Sequence, residues 1–256
     1  MSLGLENLFG LSGRVALVTG SSRGIGASIA KGLASAGAEG FVHGQTLDAT
    51  RTTCEAIAQA DGVAHAIGGN LAEKGQGRNL VETVEQRSGQ LDILVINASA
   101  QVNASLADLT DEALELQLAV NLRATIELLQ ASLPPMAKRG WGRVVSIGSI
   151  NQDDPKGVVT AYAATKAAQH NLIRSQAREY ASHNVLLNTL SPGLIDTDRN
   201  AARKNGDPDG WVAYTKQINW MGRAGEADEM VGAAVFLASP AASFITGQSI
   251  TLSGGS

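Results

Sequence analysis

The sequence predicts an α/β fold, a single doubly wound parallel sheet of seven strands with helices on both faces. Two observations carry that prediction. Short, apolar, β-branched runs alternate along the whole chain with longer segments rich in Ala, Leu, Glu and Gln at helical spacing. Strands separated by helices run parallel through right-handed crossovers, and the runs are apolar on both sides, as a sheet covered on both faces requires.

Taken in order, the strands are predicted at 15–19, 40–44, 64–68, 93–96, 143–147, 185–190 and 249–252. Each is a short run such as Val15-Ala16-Leu17-Val18 or Ile93-Leu94-Val95-Ile96, too short for a buried helix. The intervening segments 25–36, 49–60, 72–88, 111–138, 161–181 and 226–238 are composed of good helix formers. No linker, composition shift or repeat divides residues 1–256, so one domain is expected. Residues 194–220 break the rhythm. Gly206-Asp207-Pro208-Asp209-Gly210 punctuates any helix there, while Trp211, Tyr214 and Trp220 supply aromatic surface. The segment reads as an irregular lid over a site, or as a surface helix pair with buried Trp.

Composition narrows the function classes. Apolar residues make up 44% and charged residues 17%, which excludes a disordered chain, and the net charge of −4 offers no basic field for a nucleic acid. The single cysteine, Cys54, rules out an internal disulfide and fits a reducing compartment. With neither a secretory leader nor a membrane-length apolar run, a cytoplasmic address is expected. Met1-Ser2-Leu3 reads as an expression remnant. His43, His65, His170 and His183 lack metal-ligand spacing and read as structural, so no metal is expected.

Directly after the first strand stand Thr19-Gly20-Ser21-Ser22-Arg23-Gly24-Ile25-Gly26, followed by a helix. Glycines allow a tight turn and a close approach to a pyrophosphate, whose charge meets free N–H groups and the positive end of the helix dipole. A dinucleotide suits such a turn. Tyr162 and Lys166 lie four apart at the start of a helix and share one face. A tyrosine titrates near ~10, and an adjacent ammonium stabilises its phenolate, which makes Tyr162 a general acid/base candidate. Ser149 closes the fifth strand at its carboxyl end, where ligands of open parallel sheets bind, and its hydroxyl can hold a substrate carbonyl oxygen. Asn121 interrupts an apolar helical stripe of Leu114, Leu118, Thr125 and Leu129, so its amide needs buried partners.

The turn Thr-Gly-x3-Gly-x-Gly, with these residues in this order, resembles the short-chain dehydrogenase/reductase family from Leu11 to Gly255. The resemblance implies a Rossmann-type domain and a metal-free oxidoreductase that interconverts an alcohol and a ketone or aldehyde. It assigns catalysis to Asn121, Ser149, Tyr162 and Lys166, the asparagine holding a water that links the lysine to solvent. Lys166 would also contact the nicotinamide ribose, beside Tyr162. Gly20, Ser22, Arg23, Gly24, Ile25 and Gly26 would hold the cofactor phosphates. Gly44 and Gln45 stand where NAD enzymes carry an acidic residue, and Arg23 where a basic residue pairs with a 2′-phosphate, so NADP(H) is favoured and NAD(H) is the alternative. Asp48 stands close enough in sequence to turn toward the ribose instead.

Asn70 and Leu71 take the adenine-contacting place, where the family usually has Asp. Asn97 and Ala98 follow the fourth strand, with Ser99 replacing the family's glycine near the ribose. Gly148 replaces the first residue of a common Ser-Ser pair before the catalytic serine. Pro192, Gly193, Ile195 and Thr197 match the turn that faces the nicotinamide.

Two branches fit. The leader Leu8-Phe9-Gly10-Leu11-Ser12-Gly13 resembles the gluconate 5-dehydrogenase branch, and the polar loop Asn151-Gln152-Asp153-Asp154 reads either as a binder of polyol or sugar-acid hydroxyls or as a solvated loop. A 3-oxoacyl carrier protein reductase is the alternative, which would use Lys138-Arg139 against an acidic carrier. A non-catalytic NADP(H) sensor is the reading from another class. A homotetramer is expected, because the family pairs the Ala-rich helix 161–181 across a two-fold axis.

Overall fold

All seven predicted strands pair, in parallel, in one sheet. A computed structural model describes residues 4–255; Met1-Ser2-Leu3 lie outside the described residues. In chain order the strands are β1 Val15–Val18, β2 Glu39–Gly44, β3 Ala64–Gly68, β4 Ile93–Ile96, β5 Gly142–Ile147, β6 Val185–Pro192, β7 Ile195–Asp196, β8 Gly225–Glu226 and β9 Ser249–Leu252. The main sheet has the order β3-β2-β1-β4-β5-β6-β9, while β7 and β8 form a separate parallel pair. The order reverses between β1 and β4, which opens a crevice at the carboxyl ends of the strands.

The helices are α1 Leu5–Phe9, α2 Gly24–Ser35, α3 Arg51–Gln59, α4 Gln76–Ser88, α5 Asp111–Gln117, α6 Ala124–Arg139, α7 Thr160–Tyr180, α8 Asp198–Gly206, α9 Pro208–Ile218 and α10 Val231–Ala238. Alternate strand residues point to opposite faces and so build two cores. Ala16, Val18 and Val145 pack with Ile29, Leu33 and Leu237 of α2 and α10. Leu17, Leu94 and Val144 pack with Leu80, Leu128 and Ile173 of α4, α6 and α7.

Three predicted segments differ in detail. The expected helix 111–138 divides into α5, a wide π-helical turn at Leu118–Arg123, and α6. Asn121 sits in that turn and exchanges two hydrogen bonds with the Ala100 backbone, a tertiary demand that overrides uniform helix. The helix expected from 72 starts instead at Gln76, because Glu127 of α6 accepts from the N–H groups of Gly75 and Gly77 at 2.8 and 3.0 Å. The expected helix 226–238 opens with a 3₁₀ turn, Ala227–Met230, fixed by a reciprocal capping box of Glu226 and Glu229.

Residues 194–220 are more regular than an irregular lid: they hold β7, α8 and α9. The punctuation read in the sequence separates the two helices, since Asp207 caps α9 through the Gly210 N–H at 2.9 Å and Pro208 takes the first turn. Trp211 is buried and Trp220 is 86% exposed.

Candidate active site

Side chains from three neighbouring strands hold the glycine turn. Thr19 Oγ1 accepts from the N–H groups of Asn97 and Ala98 at 2.9 and 3.1 Å. The Asn97 amide donates to the carbonyls of Thr19 and Gly20, both at 2.9 Å. Ser21 Oγ donates to Val18 O at 2.6 Å and accepts from His43 N at 2.9 Å. His43, read as structural, is bound in this frame: Nδ1 accepts from Gly20 N and Nε2 donates to Gly69 O, each at 2.9 Å. Burial lowers its pKa, opposed by the bond to Gly69, and the neutral ring suits both contacts.

The turn has the form a pyrophosphate requires. Gly20 and Gly24 have φ of +62° and +55°, in the left-handed region that favours glycine. A Cβ on Gly26 would lie 2.4 Å from both Asn97 Nδ2 and Gly20 O, so no side chain fits. Helix α2 begins at Gly24 with no side-chain cap on its N-terminus. Free N–H groups at a helix start without an obstructing Cβ fit a dinucleotide phosphate. Ile25 opens α2 half-buried against the core.

The other predicted cofactor residues line the same edge. Ser22 accepts from Thr53 Oγ1 through its carbonyl at 3.3 Å. Arg23 is exposed, 3.8 Å from Asp198. Gly44 ends β2 and Gln45 is exposed beside it, whereas Asp48 is engaged by Arg51. Asn70 Oδ1 accepts from Ala72 N at 3.1 Å, and the Leu71 side chain lies in the core. Ala98 packs close to Gly20. Pro192 ends β6, and Gly193 donates to Leu252 O at 3.0 Å. The Ile195 side chain is buried in β7, while the Thr197 methyl stands 3.6 Å from a Cβ built on Gly24. The β6–α8 turn therefore approaches the glycine turn across the crevice.

The four residues singled out for catalysis are all buried. Asn121 Oδ1 accepts from Ala100 N at 2.8 Å, and its Nδ2 donates to Ala100 O at 2.8 Å and Thr165 Oγ1 at 2.9 Å. Thr165 Oγ1 in turn donates to the Tyr162 carbonyl at 2.7 Å, which couples α5–α6 to α7. Ser149 Oγ accepts from both N–H donors of Asn151, backbone and side chain, at 3.2 Å each. Its two acceptor sites are filled, so its own O–H is left to donate. The family's serine at Gly148 would require side chains to shift, since a Cβ there would lie 2.5 Å from Gln152 Oε1 and 2.7 Å from Thr189 Cγ2. Lys166 Nζ donates to Ile147 O at 2.7 Å and Gln169 Oε1 at 2.9 Å, and lies 5.9 Å from the centre of the Tyr162 ring. Burial, and secondarily the nearby Arg199 charge, lowers the Lys166 pKa to about 7.

Sequence reasoning passed over Gln169 and Arg199 and read Thr125 only as part of the stripe around Asn121. Gln169 carried a signal, a polar residue three positions from Lys166 on a buried helical face. Arg199 carried none, because only the fold brings it from α8 to Ser99 Oγ at 3.1 Å and Gln101 Oε1 at 3.0 Å. Ser99 thus binds α8.

The family model described as Enoyl-(Acyl carrier protein) reductase matches residues 20–256. Gluconate 5-dehydrogenase of Gluconobacter oxydans is 34% identical over 259 residues, covering 97% of this chain and 96% of that protein. A 3-oxoacyl-(acyl-carrier-protein) reductase of Aquifex aeolicus is 36% identical over 246 residues, with 96% and 98% covered. The crystal structure of a 3-oxoacyl (acyl-carrier-protein) reductase from Agrobacterium tumefaciens with NADP bound superposes with a TM-score of 0.98 at 60% identity, covering 100% of this chain and 99% of that one.

Proposed function

The chain belongs to the short-chain dehydrogenase/reductase family of oxidoreductases, and from that premise we propose that it interconverts an alcohol and a ketone or aldehyde with NADP(H), Tyr162 carrying the proton. One observation bears most of the weight: Asn121, Ser149, Tyr162 and Lys166 are all buried, Asn121 is joined through Thr165 to the helix that carries Tyr162 and Lys166, and Lys166 is hydrogen-bonded to the carbonyl of Ile147, two residues before Ser149. When bound, the nicotinamide supplies or accepts the hydride. The chain's residues do the rest.

The cradle and the α2 N-terminus bind the pyrophosphate. Arg23, now 3.8 Å from Asp198, would pair with the 2′-phosphate, and Gly44 would place no carboxylate against it. Ser149 donates its O–H to the substrate carbonyl oxygen, and Tyr162 delivers the proton to that same oxygen. Lys166, whose Nζ lies 5.9 Å from the centre of the Tyr162 ring, would stabilise the Tyr162 phenolate and hold the nicotinamide ribose. Helices α8 and α9 form the lid, stiffened where Arg203 stacks 3.7 Å from the centre of the Tyr214 ring. The protein works as a homotetramer in the cytoplasm.

For the substrate we favour a small polyol or sugar acid. Asn151 and Gln152 place amides next to Ser149, and the basic pair expected to meet an acidic carrier is reduced, because Arg139 is committed to Glu85 and Leu91 O. The 60% identical Agrobacterium protein, whose name is that of a 3-oxoacyl carrier protein reductase, favours the second reading. An NADPH-consumption screen over keto-sugar acids, ketones and 3-oxoacyl thioesters separates them. Turnover of the first class supports the favoured reading, and turnover of thioesters alone replaces it. Cofactor binding with no turnover of any carbonyl would leave the sensor reading.

A further inference from the structure

We propose that Gln169 is the positioning residue of Lys166, fixing its ammonium through the side-chain amide and tying it, through Thr125, to the backbone of Asn121. The proposal deepens the catalytic reading of Lys166 given above and rests on it. Gln169 is 1% exposed and lies three residues after Lys166, on the same face of α7. Its Oε1 accepts from Lys166 Nζ at 2.9 Å, and its Nε2 donates to Thr125 Oγ1 at 3.0 Å. The Thr125 hydroxyl donates to Asn121 O at 2.8 Å.

The network sets the orientation of the amide. Thr125 has given its only proton to the Asn121 carbonyl, so toward Gln169 it can only accept. The Gln169 NH2 must therefore face Thr125, which turns Oε1 to Lys166. Every donor in the line points away from the lysine, and an amide oxygen holds no proton to pass on. The line Lys166, Gln169, Thr125, Asn121 thus anchors a cation and conducts no proton inward.

An anchor is needed because no carboxylate makes an ion pair with Lys166 among the described residues. The charged and titratable groups near it are Tyr162 on α7 and Arg199 from α8, and His170 one turn on is directed to Thr189 of β6. A buried ammonium without a counter-charge depends on neutral acceptors, and here they are two, Ile147 O and Gln169 Oε1. Removing Gln169 would leave one.

Two near-isosteric variants test this in opposite directions. The Lys166 ammonium is titrated in the cofactor-free protein by NMR of labelled lysine side chains, and the pH profile of kcat/KM is recorded in parallel. Gln169→Leu should move the Lys166 midpoint down by about one pH unit, a tenfold change in proton affinity, and lower kcat more than it raises KM. Gln169→Glu should move the midpoint up, by adding a counter-charge. If either variant fails to fold by circular dichroism, Thr125→Val, which removes the hydroxyl that aims Gln169, should shift the midpoint downward, and Thr125→Ser should restore it. Wild-type midpoints in these variants would overturn the proposal, whereas a merely packing role would lower stability without opposite shifts. Full turnover by Lys166→Ala would instead overturn the catalytic reading, while the cofactor-free titration still decides on Gln169.

Discussion

The Asn97 side chain donates to the Gly20 carbonyl at 2.9 Å and so bolts the end of β4 to the turn that follows β1. These two strands flank the point where the sheet order reverses. The bond makes the shape of the cofactor cradle depend on a residue from the other half of the fold, 77 positions away. It also explains why the third glycine of the turn cannot change.

Gly26→Ala should abolish cofactor binding. Its Cβ would lie 2.4 Å from Asn97 Nδ2 and from Gly20 O, so the bolt or the turn must move. Overpacking of this kind costs about 1–3 kcal/mol, so a lowered melting temperature should accompany the loss. Nucleotide titration by intrinsic fluorescence, with a thermal melt, checks both; wild-type affinity would show that the cradle does not hold the pyrophosphate.

Tyr162→Phe should bind cofactor normally and lose turnover by about 10²–10⁴-fold, the range for a general acid/base. Steady-state kinetics with a cofactor titration measures the two effects separately. Near-wild-type turnover would remove Tyr162 from the mechanism.

Gly44→Asp with Arg23→Ala should shift preference from NADP(H) toward NAD(H), by placing a carboxylate where the 2′-phosphate would sit. A Cβ on Gly44 meets Thr46 O and Thr50 Cγ2 at 3.1 Å, so the β2–α3 loop must give by a few tenths of an ångström. Titrating both nucleotides against the wild type comes first, and tighter NAD(H) binding there would refute the role given to Arg23.

The Lys166 pKa is lowered from 10.5 to about 7, chiefly by burial. Between those values the unfolded chain keeps a proton that the folded chain has released, so the contribution of Lys166 to stability rises with pH across that window. The slope is at most about 1.4 kcal/mol per pH unit for one proton. Denaturant unfolding of the wild type and Lys166→Met from pH 7 to 10 should show the wild type gaining on the variant, and parallel curves would contradict it.

The protein should run as a tetramer in light scattering. Ala164 and Ala167 are exposed on α7, leaving a small-residue face on which a second helix can lie closely, and Phe244 is fully exposed. A stable, fully active mass near 26.4 kDa would exclude the assembly.

The amino-acid sequence alone determined the strand and helix alternation, the seven strands and the place of the glycine turn, because burial on both faces imposes local periodicity and a positive φ favours glycine. That Tyr162 and Lys166 share one face of a helix was legible too, since four residues make about one helical turn. Only the tertiary structure decided the break of 111–138 at Asn121, which follows from a carbonyl and an N–H of Ala100 that need partners. Only the fold brought His43 to Gly20, Arg199 to Ser99, and Thr125 within reach of Gln169. These contacts join residues between 23 and 100 positions apart, and no local pattern records which buried polar group will satisfy another.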